Sequence, residues 1–117
     1  MELLPEDRKV YLITGYIDLR QGADKLCSLV QYRYGLMPDM TDLFLFCGRR
    51  SNKIKAVYVT DDTTEMRWVR FDALRLKWPR EPDEVWEINT EGLAYLISGL
   101  PMKPESILQI LRIPEST

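Results

Sequence analysis

Histidine is absent from this chain of 117 residues. With it go the commonest general base, the commonest metal ligand and every catalytic triad that relies on an imidazole. Cysteine is scarce as well, with only Cys27 and Cys47. Two thiols without histidine fall short of the roughly four ligands of a usual zinc site. Both lie in apolar stretches, which reads as buried, inert thiols rather than a disulfide. No apolar run approaches the roughly 18 residues that would span a bilayer. The N-terminus, MELLPED, is acidic and lacks the basic flank and long apolar core of a signal peptide. The cytoplasm is therefore the expected compartment, with no membrane association, no cofactor and no metal. Internal repeats, linkers and low-complexity tracts are also missing. The length suits a single domain over residues 1–117, large enough to hide somewhat under about 70% of its unfolded surface without a staple.

What the chain does have is an uneven distribution of charge. Its formal net charge is only -2, yet residues 49–80 carry nine cations against Asp61, Asp62, Glu65 and Asp72, a local +5 that leaves -7 for the rest. Four of the nine crowd into GRRSNKIK, residues 48–55, directly behind the apolar run Leu43-Phe44-Leu45-Phe46-Cys47. Residues 81–91 hold Glu81, Asp83, Glu84, Glu87 and Glu91 and no cation. Such asymmetry points to an anionic partner for the basic part, or to pairing between the two regions of the chain itself.

The apolar periodicity places the elements. Val10 to Thr14 is β-branched and aromatic and predicts a strand. Asp18 followed by Gln21 resembles a capping box, and Ala23, Leu26, Cys27, Val30 and Tyr34 recur at helical spacing, predicting a helix from about 19 to 34 with Gly35 as its C-cap. Leu36 to Thr41 reads as a loop. Leu43 to Cys47 predicts an inner strand buried on both faces. Ile54 to Thr60 and Glu65 to Phe71 predict a hairpin; a turn centred on Asp62-Thr63 would set Lys55 opposite Arg70, Val57 opposite Trp68 and Val59 opposite Met66. Arg75 to Trp78 predicts a short strand, residues 79–84 an acidic loop, and Val85 to Ile88 a last strand. Thr90 suits an N-cap, with Leu93, Leu96, Ile97 and Leu100 at helical spacing and Gly99 ending the helix. Pro104 and Glu105 suit the first turn of a final helix carrying Ile107, Leu108 and Leu111. The expected fold class is α+β: one domain with a mostly antiparallel sheet packed by two main helices, plus a short C-terminal helix.

Each candidate site has a functional and an ordinary reading. The basic turn suits phosphate binding, because Arg presents a planar fork, Lys a mobile point charge, and Ser51 and Asn52 neutral donors. Lys55 and Arg70 would extend the patch across the hairpin, with Trp68 near enough to stack on a splayed base. The DNA-binding set is then Arg49, Arg50, Lys53, Lys55 and Arg70. The ordinary reading is a solvated turn whose charge deters edge pairing. Asp61, Asp62 and Glu65 form the best acidic cluster, but a two-metal nuclease needs carboxylates converging on two ions, and hairpin tips are commonly acidic for turn chemistry. Helix capping accounts for Asp18 beside Arg20. Trp68, Trp78 and Trp86 fit a core or an interface as well as base stacking. The acidic stretch 81–91 fits a solvated loop as well as a dock for a basic partner.

Four segments, taken in order, carry a resemblance. Asp18-Leu19-Arg20-Gln21-Gly22 is similar to a D-M-R-K-G helix start. Residues 43–55, LFLFCGRRSNKIK, resemble a strand with a basic turn. Arg70, followed eight residues on by Trp78-Pro79, resembles a K-R-L-E…W-P segment, and Thr90-Glu91-Gly92-Leu93 with Gly99-Leu100 a closing helix. Together they resemble the TnpB-type accessory proteins of insertion-sequence-66 elements, over about residues 8 to 100. The chain departs from that pattern at Val59-Thr60-Asp61-Asp62-Thr63, where W-D-G-x-G is common. It departs also at Val69, Leu74 and Ala23, where a lysine, a glycine and an aromatic are usual. The resemblance implies participation in transposition beside a separate catalytic transposase, and no enzymatic activity of this chain. Two readings of the role follow. In one, the chain binds DNA, mainly at backbone phosphates, through the basic turn. In the other, it docks the element-encoded transposase without contacting DNA.

Overall fold

The computed structural model describes residues 9–33, 42–59, 63–81 and 83–112. Six strands form one sheet: β1 (Lys9–Ile13), β2 (Asp42–Cys47), β3 (Lys53–Val59), β4 (Thr64–Arg70), β5 (Glu84–Ile88) and β6 (Ile107–Arg112). Their order across the sheet is β4-β3-β2-β1-β5-β6. The expected inner strand is β2, buried at every position and flanked on both sides, which is why its sequence runs apolar without alternation. Its neighbour β1 runs parallel to it, with Tyr11 stacked on Phe44 at 5.4 Å between ring centroids. The other pairings are antiparallel.

Alternation along the strands builds two cores. On one face Tyr11, Ile13, Phe44, Phe46, Val57 and Val85 meet Leu26 and Val30. These last two come from α1 (Ala23–Ser28) and from the π-helical segment Leu29–Arg33 that continues it. On the other face Leu12, Leu43, Leu45, Ile54 and Ala56 meet Leu93 and Leu96 of α2 (Thr90–Ile97), together with Leu76 and Trp78 from the irregular segment 71–81. Cys27 packs on the first face and Cys47 belongs to the second; both are free thiols. Burial pushes the Cys47 thiol up to about 12, so it stays protonated and unreactive. No helix among the described residues is long and apolar enough to cross a membrane.

The expected α+β arrangement with two main helices is overturned. The sheet is mixed, and among the described residues only two short α-helices pack on it. The predicted helix from 19 to 34 begins at Ala23, because the Asp18 carboxylate binds Arg20 instead of capping a helix and the N-cap position, Gly22, has no side chain to offer. Its predicted end at Tyr34 and Gly35, the loop 36–41, and Asp61 and Asp62 at the hairpin tip lie outside the described residues. Arg75 to Trp78 pairs with no strand among the described residues. The predicted C-terminal helix is instead a 3-10 turn, Pro104–Ser106, followed by β6. The spacing of Ile107, Leu108 and Leu111 suits a helix, but the open edge of β5 supplies ladder partners and the segment carries the β-branched Ile107 and Ile110. The hairpin pairs Lys53 with Arg70, Lys55 with Trp68 and Val57 with Met66, two residues from the expected register. Alternation specifies the face of a residue but not which even-numbered register it takes, so the faces were legible and the partners were not. The expected strand at 85–88 is β5, and the helix near 90–99 is α2, capped by Asn89 Oδ1 accepting from Gly92 N at 2.8 Å.

Phe44 is 1% exposed at the centre of the sheet. Phe44→Ala is expected to cost about 3–5 kcal/mol, read as a lower urea midpoint at unchanged slope.

Candidate nucleic-acid interface

Because β1 and β2 are parallel, the chain leaves both strands at the same end of the sheet. The loop after β1 and the turn after β2 therefore meet. Ile17 N donates to the Cys47 carbonyl at 3.0 Å, and Lys55 Nζ donates to the Gln21 carbonyl at 3.0 Å. Leu19 lies against Gly48 so closely that a Cβ there would stand 2.9 Å from Leu19 Cδ1. A side chain at 48 would have to push the end of Leu19 aside.

The turn itself is closed by Ser51 N donating to the Gly48 carbonyl at 3.0 Å, which puts Arg49 and Arg50 at its tip. Ser51 has a φ of 58°, a left-handed conformation uncommon outside glycine. It is held there from several sides. Its hydroxyl donates to Tyr16 Oη at 3.0 Å, and its carbonyl accepts from Leu76 N at 2.7 Å. The next carbonyl, Asn52, accepts from Phe71 N at 2.7 Å, and Arg75 Nη1 donates to the Arg50 carbonyl. Segment 71–81 thus straps the turn from behind. It is anchored in turn by Trp78, whose buried indole N–H donates to the Ile13 carbonyl at 2.9 Å, and by the Pro79 carbonyl, which accepts from Gly15 N at 2.8 Å.

The expected site residues have different placements. Arg49 and Arg50 are exposed, and neither guanidinium pairs with a carboxylate among the described residues. Lys53 is half-buried, its ammonium 5.6 Å from the centre of the Trp68 ring. Lys55 is buried and braces Gln21. Arg70 faces Lys53 across the hairpin and holds Asp72 at 2.8 Å in an exposed pair of little energetic weight. Ser51 is turned inward.

Arg49, Arg50 and Lys53 line a cleft of about 980 Å³ together with Arg20 and Arg80. A second cleft of about 790 Å³ adjoins it, walled by Leu19, Arg50, Lys53 and Trp68. Arg20 and Arg80 are outside the set drawn from sequence. Arg20 sat in plain view in the DLRQG run but was absorbed by the capping explanation; Arg80 carried no signal beyond the charge count. Two acids share the larger cleft, Asp18 and Asp83. Arg20 grips Asp18 through its side chain at 2.7 Å and its backbone N–H at 2.9 Å, holding the carboxyl down at about 2. Asp18 is therefore an anion throughout the neutral range.

Two of the acids that were candidates to neutralise the turn, Glu84 and Glu91, are engaged elsewhere. Glu84 accepts from Trp86 Nε1 and from Arg112 Nε, each at 2.9 Å, and these bonds keep its carboxyl below the usual range. Glu91 accepts from Tyr95 Oη at 3.2 Å. Of the tryptophans, Trp78 is buried, Trp86 half-buried, and Trp68 is 54% exposed.

Comparison with known proteins agrees with the motif order. Residues 8–106 match the family model described as IS66 Orf2 like protein. The uncharacterized protein y4hO of Sinorhizobium fredii (strain NBRC 101917 / NGR234) is 30% identical over 92 residues, spanning 79% of this chain and 80% of that one. No solved structure matches. The match covers most of the chain and takes in all the elements that build the clefts. The chain belongs to the IS66 Orf2-like family, which implies an accessory role in insertion-sequence transposition.

Proposed function

We propose that the chain is a non-catalytic accessory factor that holds DNA by its backbone phosphates at the basic turn. Arg49, Arg50 and Lys53 make the primary contacts, Arg20 and Arg80 flank them, and Lys55 and Arg70 support the patch from the hairpin. The observation that carries this reading is the exposure of Arg49 and Arg50 on a turn whose carbonyls are tied down behind it. The guanidiniums project from a fixed base and meet no carboxylate among the described residues. Phosphate neutralisation with release of counterions then supplies the affinity, and the contacts position the protein without reading sequence.

A second reading, docking of the element-encoded transposase without DNA contact, is supported by the far edge of the sheet. There Leu108 and Ile110 of β6 are 57% and 44% exposed. Retention on an element-end duplex in the absence of other proteins favours the first reading. Co-purification with the transposase and no retention on DNA favours the second.

If Arg49, Arg50 and Lys53 each neutralise one phosphate, log affinity falls with log salt at a slope of about -2.7, roughly 40-fold between about 50 and 200 mM. Reversing the charge at Arg49→Glu and Arg50→Glu together is expected to abolish duplex binding and leave the urea midpoint nearly unmoved. A double variant that binds as the parent does removes the turn from the site. Asp18→Asn should free Arg20 to take a further phosphate, tightening binding at low salt and steepening the slope by about 0.9. Identical salt titrations for this variant and the parent would show that Arg20 takes no part.

A further inference from the structure

Trp68 is the largest apolar side chain left in water at the site, and core packing does not account for it. It lies on β4, the edge strand, directly opposite Lys55, on the sheet face that α1 covers only in part. Its ring forms one wall of the smaller cleft, and Arg50 and Lys53 line the same cleft together with Lys55 and the Arg20–Asp18 ion pair. A double helix brings phosphates and groove edges to such a place but keeps its base faces stacked inside. A single strand brings phosphates and a free base face together. We infer that this site takes single-stranded DNA in preference to duplex, with an unpaired base stacked on Trp68 and the flanking phosphates on Arg50 and Lys53.

The inference rests on the phosphate-binding reading and adds the strandedness of the ligand. Lys53 now stands over the Trp68 ring. An exposed cation–π contact is weaker than base–aromatic stacking, so a base can take the ring while the ammonium moves to the adjoining phosphate. Stacking of this kind is indifferent to base identity, because every base has a π face. The site would accordingly accept any unpaired sequence.

The test is fluorescence anisotropy at low salt with an oligothymidylate of about 12 nucleotides and a duplex of equal length. The probes are titrated with the parent, Trp68→Ala, Trp68→Phe and the Arg49→Glu, Arg50→Glu double variant. The parent should bind the single strand about tenfold more tightly than the duplex. Trp68→Ala should lose about tenfold on the single strand and nothing on the duplex, and Trp68→Phe should keep most of the affinity. Indole emission of the parent should fall on adding oligothymidylate, and that of Trp68→Ala should not. Equal losses on both probes, or no loss on either, overturn the stacking inference. In that case the phosphate reading still stands provided the double arginine variant loses binding. A parent that binds neither probe overturns both.

Discussion

The parallel pairing of β1 with β2 is the constraint on which the site depends. Parallel neighbours need a crossover, here the loop 14–22 and α1, and both strands then end at the same side of the sheet. The loop that starts the crossover and the turn that leads into β3 are forced into contact. In open sheets with parallel strands, ligands bind in the crevice outside the carboxyl ends of those strands. The two clefts lie in that position, and every strand after β2 could be antiparallel without disturbing them.

Gathering like charges on one turn is unfavourable unless something holds the backbone in place. Arg49 and Arg50 repel each other and repel Lys53, Arg20 and Arg75 nearby. The chain answers with fixed hydrogen bonds rather than with counter-charges. The Arg50, Ser51 and Asn52 carbonyls accept from Arg75, Leu76 and Phe71, and the left-handed Ser51 is pinned by Tyr16. Uncommon backbone conformations persist where the surroundings over-determine them, and they gather at functional positions. Arg75 is used up in this: one cation is bonded to backbone so that two others stay outward. Asp18 works in the opposite sense, neutralising Arg20 from the loop side.

Much of this was legible in the residues, and the failures have physical reasons. The continuous apolar run 43–47 read as an inner strand and the cation cluster behind it as its exit turn, and both stand in the structure. The alternation in 54–59 and 65–71 gave the faces. What alternation cannot give is direction: whether β1 lies parallel or antiparallel to β2 leaves the same apolar positions buried, so the one parallel pairing in an otherwise antiparallel sheet went unread. Nor can spacing decide a short apolar segment such as 107–112, where β5 offered an edge and took it. Lys55 shows a third limit. A lysine in a basic run counts as surface charge by composition, yet its stem crosses the buried face and its ammonium serves a carbonyl. The strap 71–81 gave the pattern of a short strand at 75–78, but its bonds come from the Phe71 and Leu76 backbone N–H groups and the Arg75 and Trp78 side chains, and no ladder forms among the described residues.

The two edges of the sheet are unlike, and this bears on how the two proposed roles relate. β4 exposes Glu65, Arg67 and Arg70 along with Trp68, and charge of this kind discourages another strand from pairing there. β6 exposes Leu108 and Ile110, and among its six residues only Arg112 is charged. The four intervening strands set these edges about 24 Å apart, from roughly 4.8 Å per strand. A nucleic acid lying on the turn and the β4 hairpin would therefore leave β6 uncovered. The two proposed roles would draw on different features: DNA binding on the exposed Arg49 and Arg50 at the carboxyl ends of β1 and β2, transposase docking on the apolar edge of β6, with no side chain shared between them. An accessory protein that had to bring an element end and its transposase together would need that separation, and a sheet with one guarded and one open edge is a short route to it.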